Sequence, residues 1–219
     1  MIRRLLTLGL GVYLLGSVAQ AASVPAHIGC WGDSLTFGTR APAGTSYPTV
    51  LKKLLPGSAV FNGGIAGDTS SQIAGRFFAD PNDWGDFTVI WAGRNNYSET
   101  TQVLADVADM VAALPAPKRF VVLSVTTADF PNEYIDQSGY NLIRSLNLAL
   151  QAAYPANYID IQTFLWSQYD PRNAHDLKDH ANGILPSSLR SDEIHLTARG
   201  YALVAQRVAR FIMGGRVSR

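Results

Sequence analysis

The sequence predicts an α/β protein, a three-layer α/β/α sandwich around a five-stranded parallel, flavodoxin-like sheet. Three observations lead there. Short runs of apolar, β-branched and aromatic residues recur along the 219 residues, each bounded by glycine, proline or polar residues. They are apolar at successive positions rather than alternating, as strands covered on both faces must be. Between them lie longer stretches with helical apolar spacing, and no internal repeat, low-complexity tract or Pro/Ser-rich linker interrupts the series. Strands alternating with helices without a break indicate a doubly wound sheet.

The first run is Ile28–Trp31. A helix over Pro48–Leu55, with Val50, Leu51, Leu54 and Leu55 on its apolar side, leads to the second run, Ala59–Phe61. The third run, Phe87–Ala92, is followed by a helix over Thr100–Leu114 that repeats Val103, Leu104, Val107, Val111 and Leu114. The fourth is Phe120–Val125, then a helix over Tyr140–Tyr154, then the fifth run, Tyr158–Ile161. Thr197–Met213, with Leu203, Val204, Val208, Phe211 and Ile212, is the last helix.

Ahead of the first strand stand Arg3 and Arg4, an apolar stretch from Leu5 to Val18, and Ala19-Gln20-Ala21. A basic start, a short apolar core and a small-x-small site describe a secretory signal peptide over residues 1–21. A membrane anchor is the competing reading, but a spanning helix needs about 20 apolar residues. One domain over 22–219 is then expected in an exported protein, periplasmic or secreted, with no stable membrane anchor after cleavage. Removing the two arginines takes the formal net charge from +1 to +1 − 2 = −1. A nearly neutral chain lacks the basic footprint of nucleic-acid binding. With one cysteine, Cys30, no intramolecular disulfide forms; it reads as a buried strand residue.

In doubly wound folds the ligand site lies outside the carboxyl ends of the strands. Ser34, Gly64–Ser70, Gly93–Asn96 and Thr126–Asp129 all fall at that edge. Ser34 sits in Gly32-Asp33-Ser34-Leu35-Thr36-Phe37-Gly38, where a sharp turn after a strand presents a hydroxyl to solvent. A serine becomes a nucleophile only with a base, an orienting acid and oxyanion donors nearby. His195 in Ser191-Asp192-Glu193-Ile194-His195-Leu196-Thr197 is the candidate base. Asp192, three residues earlier on a tight turn, is the candidate partner for its other ring nitrogen, with Glu193 ranked behind it. Alone, Asp192 and Thr197 would read as caps of the last helix. Oxyanion donors are available from the glycine-rich Asn62–Ser70 segment and from an asparagine amide in Gly93-Arg94-Asn95-Asn96.

These four segments, in this order, resemble the SGNH (GDSL) hydrolase family, and within it the small periplasmic or secreted bacterial esterases of the thioesterase/lysophospholipase type. The likeness spans nearly the whole chain after residue 21. It implies Ser34 as nucleophile, His195 as base and Asp192 as its partner, with an oxyanion hole of the Ser34 N–H, the Gly67 N–H and the Asn95 side chain. No metal and no cofactor is implied. The family's third block usually reads Gly-x-Asn-Asp, and here Asn96 stands at the last position; altered local hydrogen bonding with activity retained is expected.

Arg94 reads as a solvated side chain, since charged groups are seldom buried. Trp31 and Trp91 read as core; Phe37, Trp84, Tyr97 and Trp166 are candidates for a wall of the site, the last three ahead of Phe37. The stretch Asp170–His180 has metal-ligand residue types but no metal spacing, and reads as a polar loop. Gly-x-Ser-x-Gly is absent around Ser34, which argues against an ordinary α/β-hydrolase lipase. The expected function is an exported serine esterase acting on short acyl or acetyl esters, with a small-molecule or polysaccharide ester as partner. An acyltransferase to a carbohydrate hydroxyl and a non-catalytic carbohydrate-binding relative are the alternatives.

Overall fold

The computed structural model describes residues 24–214, so residues 1–21, expected from the sequence to be a signal peptide, lie outside the described residues. Five parallel strands pair in the order β2-β1-β3-β4-β5, the flavodoxin-like order. They are β1 (His27–Gly32), β2 (Ala59–Gly64), β3 (Phe87–Trp91), β4 (Phe120–Leu123) and β5 (Tyr158–Ile159). The three middle strands are buried almost throughout because their successive side chains feed two different cores. Cys30, Val89, Trp91, Val121 and Leu123 face one; Trp31, Ile90, Ala92 and Val122 face the other.

The first core is closed by α2 (Tyr47–Leu54), α6 (Ile161–Trp166) and α8 (Ala198–Ile212). The second is closed by α3 (Ser70–Ala79), α4 (Thr100–Ala113) and α5 (Ser138–Ala153). That is the expected sandwich of three layers. Trp31 and Trp91 are core residues in it, and Cys30 is fully buried. Burial pushes the Cys30 thiol up to about 12 against a hydrogen bond with Tyr47 that lowers it, so it is inert at neutral pH.

Three departures from the sequence reading bear on the site. The strand edges differ: β2 extends through Asn62-Gly63-Gly64, β4 stops at Leu123, and β5 is only two residues because Asp160 caps α6 by accepting the Thr163 N–H. A short turn of helix, α1 (Ser34–Phe37), begins directly behind β1. And Asp170–His180 is not a polar loop. Its second half forms α7 (Ala174–Asn182), capped by Asn173, with Asp176 and Asp179 turned inward. Its two carboxylates serve structure, since both are consumed by hydrogen bonds to the segment that leads to His195.

Candidate active site

The site assembles at the carboxyl ends of β1, β2 and β3. Asp33 caps α1, its carboxylate accepting the Leu35 N–H at 2.9 Å, which puts Ser34 at the first helical position. Gly64 at the end of β2 is required here, because a Cβ on it would lie 2.1 Å from the Phe37 nitrogen. The α1 turn therefore sits hard against the sheet. Arg76 of α3 ties the same edge together, donating to the carbonyls of Gly32 (3.1 Å) and Gly63 (2.8 Å) and to the Asp68 carboxylate (2.8 Å).

Ser34 is nearly buried, and its Oγ lies 2.9 Å from His195 Nε2. Asp192 Oδ2 lies 2.8 Å from His195 Nδ1. The two contacts form a continuous chain from hydroxyl to imidazole to carboxylate across 161 residues of sequence. Burial raises the affinity of Asp192 for a proton. The hydrogen bonds from the His195 N–H, its ring and the Ile194 N–H, with the imidazole charge, more than offset this and hold the carboxyl at about 2. Asp192 is thus an acceptor at any working pH, able to fix the ring tautomer and stabilise an imidazolium. Glu193 is exposed and contributes its backbone carbonyl to the Asp129 N–H instead.

The donor side converges as well. Gly67 has φ +86°, a conformation that L side chains rarely adopt, although a Cβ there would have open space. Backbone shape, rather than room, demands glycine. No partner among the described residues takes the N–H of Ser34 or of Gly67. Asn95 links the two segments: its Nδ2 donates to the Asp68 carbonyl at 2.8 Å and lies 3.5 Å from Asp33 Oδ2. Asn96, where the family usually has aspartate, accepts the Ser70 N–H (3.1 Å) and donates to Ser70 Oγ and Glu99, so it anchors the start of α3.

The expectation of a solvated Arg94 is wrong. The side chain is buried and forms a bidentate pair with the equally buried Glu133. It also donates to the Thr126 carbonyl at 2.8 Å and lies over the Tyr97 ring at 5.1 Å. Glu133 in turn accepts the Ala128 N–H. A charge can be buried when paired and hydrogen-bonded on every side, and here the pair fixes the loop after β4. Trp84 is also misplaced as a wall candidate: it stacks on Phe77 against the second core, ahead of β3, with its backbone beside Gly29 of β1. Trp166 lines a separate cavity, while Tyr97 stays beside Arg94 and Phe37 is exposed on α1.

One residue that sequence reasoning missed is Arg190. Its side chain, 6% exposed, donates to the carbonyls of Leu185 (2.8 Å) and Asp192 (3.2 Å) and to the carboxylates of Asp129 (3.2 Å) and Asp179 (3.1 Å). It thereby holds the Asp192–His195 turn on α7 and the β4 loop. Asp176, wholly buried, accepts from Ser187, Ser188 and Asp170 in the same region. No local motif announces this network. Among the described residues no group of three or more His, Cys, Asp or Glu is placed to hold a metal ion.

A family model described as the GDSL-like lipase/acylhydrolase family matches residues 30–203, most of the chain. The chain belongs to that family. By that description it is a family of lipases and acylhydrolases, which act on acyl esters. Solved structures share the fold at low identity. A lipolytic protein of the G-D-S-L family from Desulfitobacterium hafniense superposes with TM-score 0.66 at 17% identity, over 85% of this chain and 99% of that one. A GDSL-like lipase from Bacteroides thetaiotaomicron gives 0.65 at 21%, over 86% and 88%. A catalytic mutant of an acetylxylan esterase from Geobacillus stearothermophilus gives 0.63 at 17%, over 85% and 94%. In sequence, this GDSL protein is 33% identical over 135 residues to the tail spike protein of Salmonella phage epsilon15. That match takes in 58% of this chain but only 12% of the spike.

Proposed function

We propose that the protein is an exported serine esterase that cleaves short acyl, in particular acetyl, esters carried on polysaccharides, through an acyl-enzyme on Ser34. The observation that carries this is the unbroken Ser34–His195–Asp192 chain. His195 Nε2 takes the proton from Ser34 Oγ as the oxygen attacks the ester carbonyl. The resulting oxyanion rests on the N–H groups of Ser34 and Gly67 and on the Asn95 amide, whose Nδ2 already lies between the two segments. The tetrahedral intermediate collapses as His195 returns the proton to the departing alcohol. A water deprotonated by the same nitrogen then attacks the acyl-enzyme and releases the acid, restoring Ser34.

Export is supported by the basic, apolar and Ala-Gln-Ala sequence of residues 1–21. The polysaccharide assignment is supported by the fold shared with an acetylxylan esterase. Intact-mass analysis after rapid quenching of a 4-nitrophenyl acetate reaction tests the mechanism. An acetyl adduct on the Ser34 peptide is expected, and Ser34→Ala is expected to lose both the adduct and hydrolysis by about 10⁴-fold or more. Near-full activity in the alanine variant would refute it.

A further inference from the structure

Beyond the sheet edge, between α5, α6 and β5, lies a cavity of about 280 Å³ that contains none of the triad residues. Three interstrand steps of about 4.8 Å separate the β1 column, which carries Ser34, from β5. The cavity is thus offset from the nucleophile by roughly 14 Å. Its volume falls near the lower end of the roughly 300–1,000 Å³ typical of ligand pockets, enough for a ring-sized ligand.

The lining of this cavity combines two kinds of chemistry. Aromatic rings come from Tyr158 of β5 and Trp166 of α6. Trp166 is fixed, its indole N–H donating to the His180 carbonyl at 3.1 Å and its ring stacked on His180 at 4.0 Å, with Tyr169 against the same imidazole at 3.9 Å. Polar groups come from α5, which supplies Tyr140, Arg144 and Gln151. Spacings of four and eleven residues put all three on one helix face. Among the described residues none of these three side chains has a hydrogen bond or ion pair within the protein. The polar side chains of Asn147, Gln162, Thr127, Asp160 and Thr163 in the lining are each engaged within the protein: Asn147 with Val125, Gln162 with Thr127, Thr127 with Gly183, and Asp160 with Ser124 and Thr163.

We infer that this cavity is an accessory subsite for a pyranose unit of the carbohydrate chain whose ester Ser34 cleaves. A pyranose offers C–H faces to aromatic rings and a rim of hydroxyls to donors and acceptors. A fixed tryptophan and a tyrosine, in one lining with a hydroxyl, a guanidinium and an amide that have no partner among the described residues, supply both halves of that recognition. A purely acyl ligand would leave the α5 groups unused. The inference rests on the polysaccharide-ester reading above, and places the chain of the substrate along the carboxyl edge of the sheet.

The test uses the Ser34→Ala protein, an acetylated xylo-oligosaccharide and ¹H–¹⁵N spectra. The four tryptophans give four indole N–H signals, assigned by Trp166→Phe. Saturable movement of the Trp166 signal, with Trp31, Trp84 and Trp91 unmoved, is the expected result. The double variant Arg144→Ala/Gln151→Ala alters only exposed side chains. It should abolish that movement, leave 4-nitrophenyl acetate hydrolysis intact, and raise KM for the acetylated oligosaccharide about tenfold, the loss of one good contact. Wild-type hydrolysis of the oligosaccharide with no Trp166 movement at millimolar ligand would overturn the subsite alone. Hydrolysis of 4-nitrophenyl acetate but of no acetylated saccharide would overturn the polysaccharide reading beneath it. Movement by octanoate in place of the sugar would make the cavity an acyl site and also overturn the inference.

Discussion

The two halves of the active site are built from different materials. The nucleophile side, with Ser34, Gly67 and Asn95, is shaped by backbone: strand ends, a capped turn, and glycines where a Cβ or an ordinary φ would not fit. The base side, with Asp192 and His195, is held by buried charge, with Arg190 clamped between Asp129 and Asp179 and Asp176 saturated by Ser187 and Ser188. The sheet delivers Ser34 directly, because a strand leads into it. The turn carrying His195 follows no strand of the sheet, and long-range ion pairs must hold it at 2.9 Å from the nucleophile. The two sides should therefore fail differently.

The largest effect is expected from Arg190→Leu. Removing the guanidinium unpairs the buried Asp179 carboxylate, the partly exposed Asp129 carboxylate and two carbonyls, a loss of roughly 3 kcal/mol, the lower end for broken buried pairs. Thermal unfolding should show it, and kcat should fall with it because the Asp192 turn loses its anchor. Arg190→Lys keeps the charge but not the fork and should fall between. Asn95→Ala should instead lower kcat by about 10²–10³ with a smaller change in KM and shift stability by less than about 1 kcal/mol. A comparable loss of stability in both variants would erase the contrast between the two sides.

That contrast also explains what the sequence disclosed. Strand runs, the turn that presents Ser34 and the Asp192–His195 pair rest on local chemistry: apolar runs, glycine, and side chains a few residues from what they serve, whereas Gly67 and Asn95 were singled out by the resemblance of their segments to the SGNH family. The doubly wound architecture followed from alternation alone. Arg94 and Arg190 were illegible because their partners, Glu133 and Asp179 with Asp129, become neighbours only through the fold. An arginine reads as solvated until its acids are placed. The helix over Ala174–Asn182 was missed for a related reason, since its inward face is carboxylate rather than apolar.

A pH experiment separates the two sides further. Burial raises Asp33 from 3.8 to about 7, against the opposing Leu35 N–H and Arg94 charge. Between those values the folded protein binds more protons than the unfolded chain, so this group's contribution is greatest below about pH 4 and falls away as pH rises to 7. Asp192, held at about 2, acts in reverse: its contribution is present above pH 4 and lost as pH drops toward 2. Asp33→Asn keeps an acceptor for the Leu35 N–H. It should flatten the decline in stability between pH 4.5 and 8, a change of roughly 4 kcal/mol at most, measured by denaturant unfolding across that range. An unchanged slope would show that Asp33 is ionised throughout.

The smallest effect should come from Arg40, among the described residues the one Lys or Arg whose side chain pairs with the Asp192 carboxylate. Its Nε lies 3.3 Å from Asp192 Oδ2, yet the side chain is 69% exposed. An exposed pair contributes at most about 1 kcal/mol and is screened by salt. Asp192 already accepts the N–H groups of Ile194 and His195. Arg40→Ala should therefore keep kcat/KM within about threefold of the parent, with any difference vanishing at high salt. Arg40 also has φ +68°, where glycine is at ease and other residues are not. Arg40→Gly removes the same charge while relieving that backbone, so it should melt no lower than Arg40→Ala. Should both variants lose activity by orders of magnitude, the acid of the triad would depend on a surface charge. The buried Arg190 network would then be only half of what holds the base side in place.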